Sequence, residues 1–241
     1  MPTHELRTPL TNLITQTQVA LGTTRSVPEY RELFYSNLEE LERLAKMTSD
    51  MLWLAQTDRG LISPDFQQLD LAAEARGLFE YFGVLAEEKK VALEFAGPAA
   101  RVSGDRAMVR RALANLLSNA IRHAQEHGTV RVLLAEGTDG GAALTVENTG
   151  IDVPSDQLSR IFDRFYRVDP ARRRHSEGAG LGLAIVKSIA DTHGAEVRAI
   201  SRGGVTAITI DFPPPGAGPR HNLKPRMDRD AVRQEEAGDS G

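Results

Sequence analysis

The chain has 241 residues, a net charge of −4 and no cysteine. That length suits one or two domains with a sizeable buried core. The charge gives no sign of a general nucleic-acid binder, and the lack of cysteine excludes disulfides, thiol nucleophiles and zinc–thiolate sites.

Hydrophobic residues make up 41% and charged residues 26%, as in ordinary globular proteins. No run approaches the roughly 18 apolar residues of a membrane span, and no secretory leader precedes the first motif. The chain is therefore expected to be soluble.

The first element is a helix over residues 4–25, with Leu6, Leu10, Leu13, Thr17 and Ala20 spaced by fours and threes. It opens on His4-Glu5-Leu6-Arg7-Thr8-Pro9-Leu10. His4, Arg7 and Thr8 share one helical face at i, i+3 and i+4. Glu5 beside the histidine can accept a ring proton and sharpen the other nitrogen as a nucleophile. Pro9 removes the N–H that would bond to Glu5, so a kink is expected there.

Pro28 suits the first turn of a second helix over Glu29–Thr57. Its apolar seam is Phe34, Leu38, Leu41, Ala45, Thr48, Leu52 and Ala55. Two heptad-patterned helices on a short loop form a hairpin, and one hairpin buries little. Pairing with a second copy into a four-helix bundle is the expected completion; packing on the following domain is the alternative.

From Asp58-Arg59-Gly60 onward the pattern mixes strands and helices. Strands are expected at Val91–Phe95, Val130–Leu134, Ala142–Glu147 and Val205–Phe212. Helices are expected at Asp105–His123 and Leu181–Thr192, the latter closed by His193-Gly194. This is an α+β layer domain, with helices over one face of a mixed sheet. Residues 1–60 form the helical hairpin, 61–213 the α+β domain, and 214–241 a polar tail expected to be disordered.

Within the second domain, Asn115 and Asn119 lie at i, i+4 among apolar residues. Amide oxygens there suit Mg²⁺, although two helix-surface asparagines would look the same. Arg122 could meet phosphate and His123 could stack on a base. Gly178, Gly180, Leu181, Gly182 and Leu183 open a helix whose N-terminus presents N–H groups to an anion. A glycine-rich turn alone is weak evidence.

Residues 149–180 carry little regular pattern, and such a loop is usually a functional lid or disordered. Phe162 and Phe165 would anchor it and Arg167 could reach a phosphate. Arg172, Arg173 and Arg174 read as a solvated run.

In order and spacing these stretches resemble the sensor histidine kinases of two-component systems. HELRTPL is similar to the family's H box, NLLSNAIRHA to its N box, FDRFYRVD to its F box and GAGLGLAIV to its second glycine box. The resemblance covers residues 4–212. It implies a dimeric hairpin followed by a GHKL (Bergerat) α/β sandwich, the fold shared with gyrase and Hsp90. TNLITQT, YSNLEEL, KMTSDMLWLAQ and FDRFYRVDP resemble the copper- and silver-responsive heavy-metal branch most.

Carried over by position, the resemblance implies His4 as phosphoacceptor and Glu5 as its neighbouring base. It implies that Thr8 positions the water that dephosphorylates a partner response regulator. Asn119 would ligate Mg²⁺ with Asn115 nearby. Arg122, His123 and Arg167 would contact the nucleotide, and Gly178, Gly180 and Gly182, with Leu181 and Leu183 between and after them, would close over the phosphates of ATP.

One motif departs. The first glycine box, usually Asp-x-Gly-x-Gly, reads Asn148-Thr149-Gly150-Ile151-Asp152. An amide oxygen still accepts from the adenine amino group, without the charge, so nucleotide affinity is expected to be lower or altered. Glu147 should point to the opposite face of its strand.

The implied activity is autophosphorylation of His4 and transfer to a regulator aspartate. A regulator-binding phosphatase or scaffold with poor ATP turnover is the alternative, and a GHKL ATPase outside signalling leaves His4-Glu5 unexplained. The family implies a parent in a bacterial inner membrane, with this part cytoplasmic. Only Met1, Pro2 and Thr3 precede His4, so the hairpin is expected to be N-terminally truncated.

Overall fold

The structure, a computed structural model, describes residues 3–137, 140–168 and 179–214, with side chains from Leu6 onward. Gly178, the Arg172–Arg174 run, residues 215–241 of the expected tail and the side chains of His4 and Glu5 lie outside the described residues.

Helix α1 spans Thr3–Gly22 and helix α2 spans Val27–Asp58. Helix α1 continues through Pro9, which is buried. Between the helices, Ser26 donates from its N–H and its hydroxyl to Glu29 Oε2, both at 2.7 Å, and so starts α2. Asn37 Nδ2 reaches Thr17 Oγ1 at 3.5 Å across the hairpin. Equal rises along antiparallel helices then set the His4 backbone roughly level with Asp50.

Helix α2 has two apolar faces. Met47 and Leu54 are buried, with Met51 and Trp53 packed beside them against the second domain. The seam expected from the sequence faces outward: Phe34, Leu38, Leu41 and Leu52 are 65, 51, 53 and 60% exposed. On α1, Leu13 and Ala20 are buried, while Leu10 lies outside at 52% exposure.

The second domain begins with strand β1, Phe66–Asp70, helix α3, Leu71–Glu88, and strands β2, Ala92–Ala96, and β3, Arg101–Asp105. Helix α4, Arg106–His123, follows, then strands β4, Thr129–Glu136, and β5, Ala142–Thr149. A single 3₁₀ turn at Arg160–Phe162 is the regular piece of the long connection among the described residues. Helix α5, Gly182–Thr192, and strands β6, Glu196–Arg202, and β7, Val205–Phe212, complete the fold.

The main sheet runs β2-β4-β5-β7-β6, with β2 and β4 parallel and the other pairs antiparallel. β1 and β3 form a separate antiparallel pair. Alternation sorts the strands: Val130, Val132, Leu144, Val146, Ile208 and Ile210 enter the core with Leu113, Leu117, Ile121, Ile185 and Ile189 from the helices. The opposite face carries a charged row in which Arg131 bonds Glu94 and Glu147, each at 2.8 Å. Glu147 thus points away from the helices, as the strand period requires. β1, α3, β3 and β6 are elements the sequence patterns did not single out.

Capping fixes where the helices begin. Asp70 accepts from Ala72 and Ala73 N–H at the start of α3. Asp105 accepts from Met108 N–H at 3.0 Å and from Asp65 N–H at 2.9 Å. Burial pushes the Asp105 carboxyl up, but these amides outweigh it and hold it below its ordinary value.

At the end of α5, His193 is 2% exposed. Its Nδ1 lies 2.7 Å from Ile189 C=O and its Nε2 accepts from Asp105 N–H at 3.0 Å. Burial holds the imidazole below its ordinary pKa. Gly194 follows at φ 63°, closing the helix as expected.

Candidate nucleotide site

The N-terminus of α5 differs from those of α3 and α4. It starts at Gly182 with no side-chain cap, and the first internal bond runs from Ile185 N–H to Leu181 C=O at 2.9 Å. The N–H groups of the first turn therefore stand ready for an anion. Leu181 is buried and anchors the turn; Gly182 and Leu183 are half-buried.

Gly182 faces Asn115. A Cβ added at Gly182 would stand 3.2 Å from Asn115 Oδ1, so the glycine admits the amide beside the helix start. Asn115 Nδ2 donates to Arg111 C=O at 3.0 Å, which orients the amide. Asn119, one turn further along α4, is half-buried, and its side chain makes no hydrogen bond to another described residue. At the helix end Arg122 Nη2 is 3.4 Å from Ser118 Oγ, and His123 is exposed.

The floor of this region comes from β5. Asn148 is 6% exposed, and its Nδ2 makes a long bond of 3.4 Å to Thr149 C=O. Its Oδ1 accepts from no other described residue, which leaves an acceptor for a ligand donor. Gly150 bridges to Ala124 and donates to Gly204 C=O at 2.8 Å. A Cβ there would lie 2.5 Å from His123 C=O, so glycine is required.

Asp152 has a different task. Its Oδ1 accepts from Gly204 N–H at 2.9 Å, within the β6–β7 turn. The departure from the second glycine of that motif is thus a turn-stabilising contact.

The far wall is built by the F-box stretch. Phe165 sits at φ 63° and donates its N–H to Gly180 C=O at 2.9 Å, while Gly180 sits at φ 69°. A Cβ at Gly180 would meet the Phe165 backbone at 2.9 Å. Tyr166 is fixed by Gln157 at 3.0 Å and by the Arg160 guanidinium 4.4 Å from its ring centroid. Arg167 follows, half-buried.

The structure thus brings together Asn115, Gly180, Leu181 and Gly182, with Asn119, Arg122 and His123 continuing along α4 and Asn148 and Gly150 beside its end. Thr8 is exposed on α1. A separate groove of about 580 Å³, lined by Phe79, Gly83, Ala86 and Leu93, shares no residue with this region.

Sequence reasoning missed two arginines that fasten the region to α2. Arg111 donates to Asp50 at 2.6 Å and lies 4.6 Å from the Trp53 ring centroid. Arg164 Nη2 donates to both oxygens of Asp58, at 2.7 and 2.6 Å. The signal was a second stripe on α2, Met47-Asp50-Leu54, with the chain's single tryptophan beside it.

The asparagines and free helix terminus fit a phosphate ester with its cation, and the free Asn148 oxygen fits an amino-bearing base. No helix among the described residues is long and apolar enough to cross a membrane.

Residues 3–60 match the His Kinase A (phospho-acceptor) domain, and residues 104–216 match the histidine kinase-, DNA gyrase B- and HSP90-like ATPase family. The chain is 49% identical over 210 residues to the sensor histidine kinase CusS of Escherichia coli K12, covering 87% of this chain and 44% of that protein. It is 44% identical over 214 residues to the probable sensor kinase SilS of Salmonella typhimurium, covering 87% and 43%. The chain therefore spans less than half the length of these relatives. Among solved structures, the Acinetobacter baumannii histidine kinase AdeS superposes with a TM-score of 0.72 at 23% identity, covering 87% of this chain and 96% of that one.

Proposed function

The chain belongs to the sensor histidine kinases, and from that premise we propose that it binds Mg·ATP and transfers the γ-phosphoryl to His4. The phosphoryl then passes to an aspartate of a response regulator. The observation that carries this reading is the docking of the nucleotide region on α2, where Asp50 binds Arg111 roughly level with the His4 backbone.

In this reading the adenine amino group donates to Asn148 Oδ1. The phosphates lie against Asn115, the Gly180–Gly182 turn and the amides of α5. Arg122, His123 and Arg167 face the nucleotide, and Gly178 precedes the turn in sequence. Asn119 would hold Mg²⁺, which when bound would neutralise phosphate charge. Glu5 accepts the ring proton of His4, which leaves the other nitrogen as nucleophile. The work is mostly positioning and electrostatics. Thr8 positions the water that dephosphorylates the regulator.

The outward seam Phe34, Leu38, Leu41 and Leu52 supports dimerisation through residues 4–57, since an apolar stripe of that length is seldom left in water. The resemblance to the heavy-metal branch, with CusS and SilS as relatives, supports a metal-linked signal upstream. The proposed division is 1–60 for the hairpin, 61–213 for the ATP-binding domain and 214–241 for the tail.

Asn119→Ala tests the site. The variant should keep its fold by circular dichroism and lose Mg²⁺-dependent phosphorylation by at least about 100-fold. Full activity in the variant would remove Asn119 from the site.

A further inference from the structure

Both walls of the nucleotide site are fastened to one helix. On one side Arg111 stands a turn before Asn115 on α4 and holds Asp50 and Trp53. On the other, Arg164 directly precedes Phe165 and holds Asp58. Asp50 and Asp58 are about 12 Å apart along α2, with Leu54 buried between them.

We propose that α2 braces the nucleotide site from outside: Asp50 and Asp58, acting through Arg111 and Arg164, fix the spacing of the two walls and so set nucleotide affinity. They are positioning residues, and the proposal rests on the reading that the site takes ATP.

The contacts form a closed circuit. Asp58 holds Arg164, and Phe165 beside it keeps its left-handed backbone through the bond to Gly180. Gly180 leads through Leu181 to Gly182, which faces Asn115. Asn115 is hydrogen-bonded to Arg111, whose side chain returns to Asp50 on α2. An aromatic residue at positive φ resists that conformation, so its neighbours must hold it there. Releasing Arg164 removes one holder.

The two pairs differ in weight. Asp50 is 10% exposed and its pair includes the tryptophan face, whereas Arg164 and Asp58 are 46 and 47% exposed. The Asp58 pair is therefore the weaker and the more easily broken. Linkage makes the effect mutual: whatever tightens the grip of α2 tightens nucleotide binding, and bound nucleotide tightens the grip by the same factor. The hairpin that carries His4 would thereby sense whether its own domain is loaded.

The test titrates trinitrophenyl-ATP by fluorescence into the whole chain and the variants Asp58→Arg, Arg164→Asp and the two combined. Each single variant should weaken binding roughly fivefold, and the exchanged pair should return to within about twofold of the parent. Asp58 lies on α2, outside the site, so an effect there and its rescue have no direct-contact explanation. Unchanged affinity in Asp58→Arg overturns the brace, as does loss in both singles with no recovery in the pair. If Asp58→Arg does not fold, Asp58→Asn is titrated instead: weaker binding supports the brace and unchanged affinity overturns it. A parent chain that binds no nucleotide overturns the ATP reading itself and the brace with it.

Discussion

Phe165 and Gly180 meet in left-handed backbone conformations, φ 63° and 69°, joined by one hydrogen bond of 2.9 Å. Fifteen positions separate them in sequence, yet this bond fixes where the glycine turn enters α5. Gly180→Ala would need a left-handed alanine, costing about 1–2 kcal/mol, and would press its Cβ to 2.9 Å from the Phe165 backbone. We expect a lower melting temperature and a nucleotide affinity reduced more than tenfold, read by thermal denaturation with and without ATP.

The first glycine box separates into parts with different tasks. Gly150→Ala would place a Cβ 2.5 Å from His123 C=O and should destabilise the domain. Asp152→Gly loses the acceptor for Gly204 N–H and should cost about 1 kcal/mol of stability with nucleotide affinity unchanged. Asn148→Ala should bind ATP at least about tenfold more weakly while Asn148→Asp retains binding. Thermal unfolding together with calorimetric titration of the four variants separates these outcomes.

His193 predicts a pH dependence of stability. Burial lowers its folded-state pKa, so near neutral pH both folded and unfolded states hold it neutral. As pH falls below the unfolded value near 6.5, the unfolded chain takes up a proton that the folded chain refuses. Stability is thus lost from about pH 6.5 downward until the depressed folded pKa is reached. Urea unfolding at pH 5, 6, 7 and 8 should show this decline, and His193→Gln should be less stable at pH 8 with a flatter profile. A parent profile flat from 8 to 5 would contradict the buried neutral imidazole.

Much of this was legible in the sequence, and for physical reasons. The hairpin, α4, α5 and the strands β4, β5 and β7 carry strong periodicity, because each buries one face. The asparagines of α4 and the glycine turn marked the candidate site through their joint order and spacing, since either signal alone is weak. The short segments β1, β3 and β6 escaped, as did α3 between them. β1, for example, buries Leu69 alone among five residues. Arg111 and Arg164 were invisible because their partners, Asp50 and Asp58, lie 61 and 106 residues away. A pattern read locally holds no trace of such pairs.

The outward seam of α2 gives another prediction. Leu38→Glu with Leu41→Glu places charges on two positions that are exposed in the single chain. The fold of the nucleotide domain should be unaffected, while sedimentation should shift from dimer to monomer. A dimer that survives both charges would place the interface elsewhere.

The most direct measurement concerns His4. The chain is incubated with γ-labelled ATP and Mg²⁺, and the product is treated with acid or base before counting. Label that is stable in base, lost in acid and absent from His4→Ala is the expected result. Label that persists in His4→Ala, or that resists acid, would contradict phosphoryl transfer to this histidine.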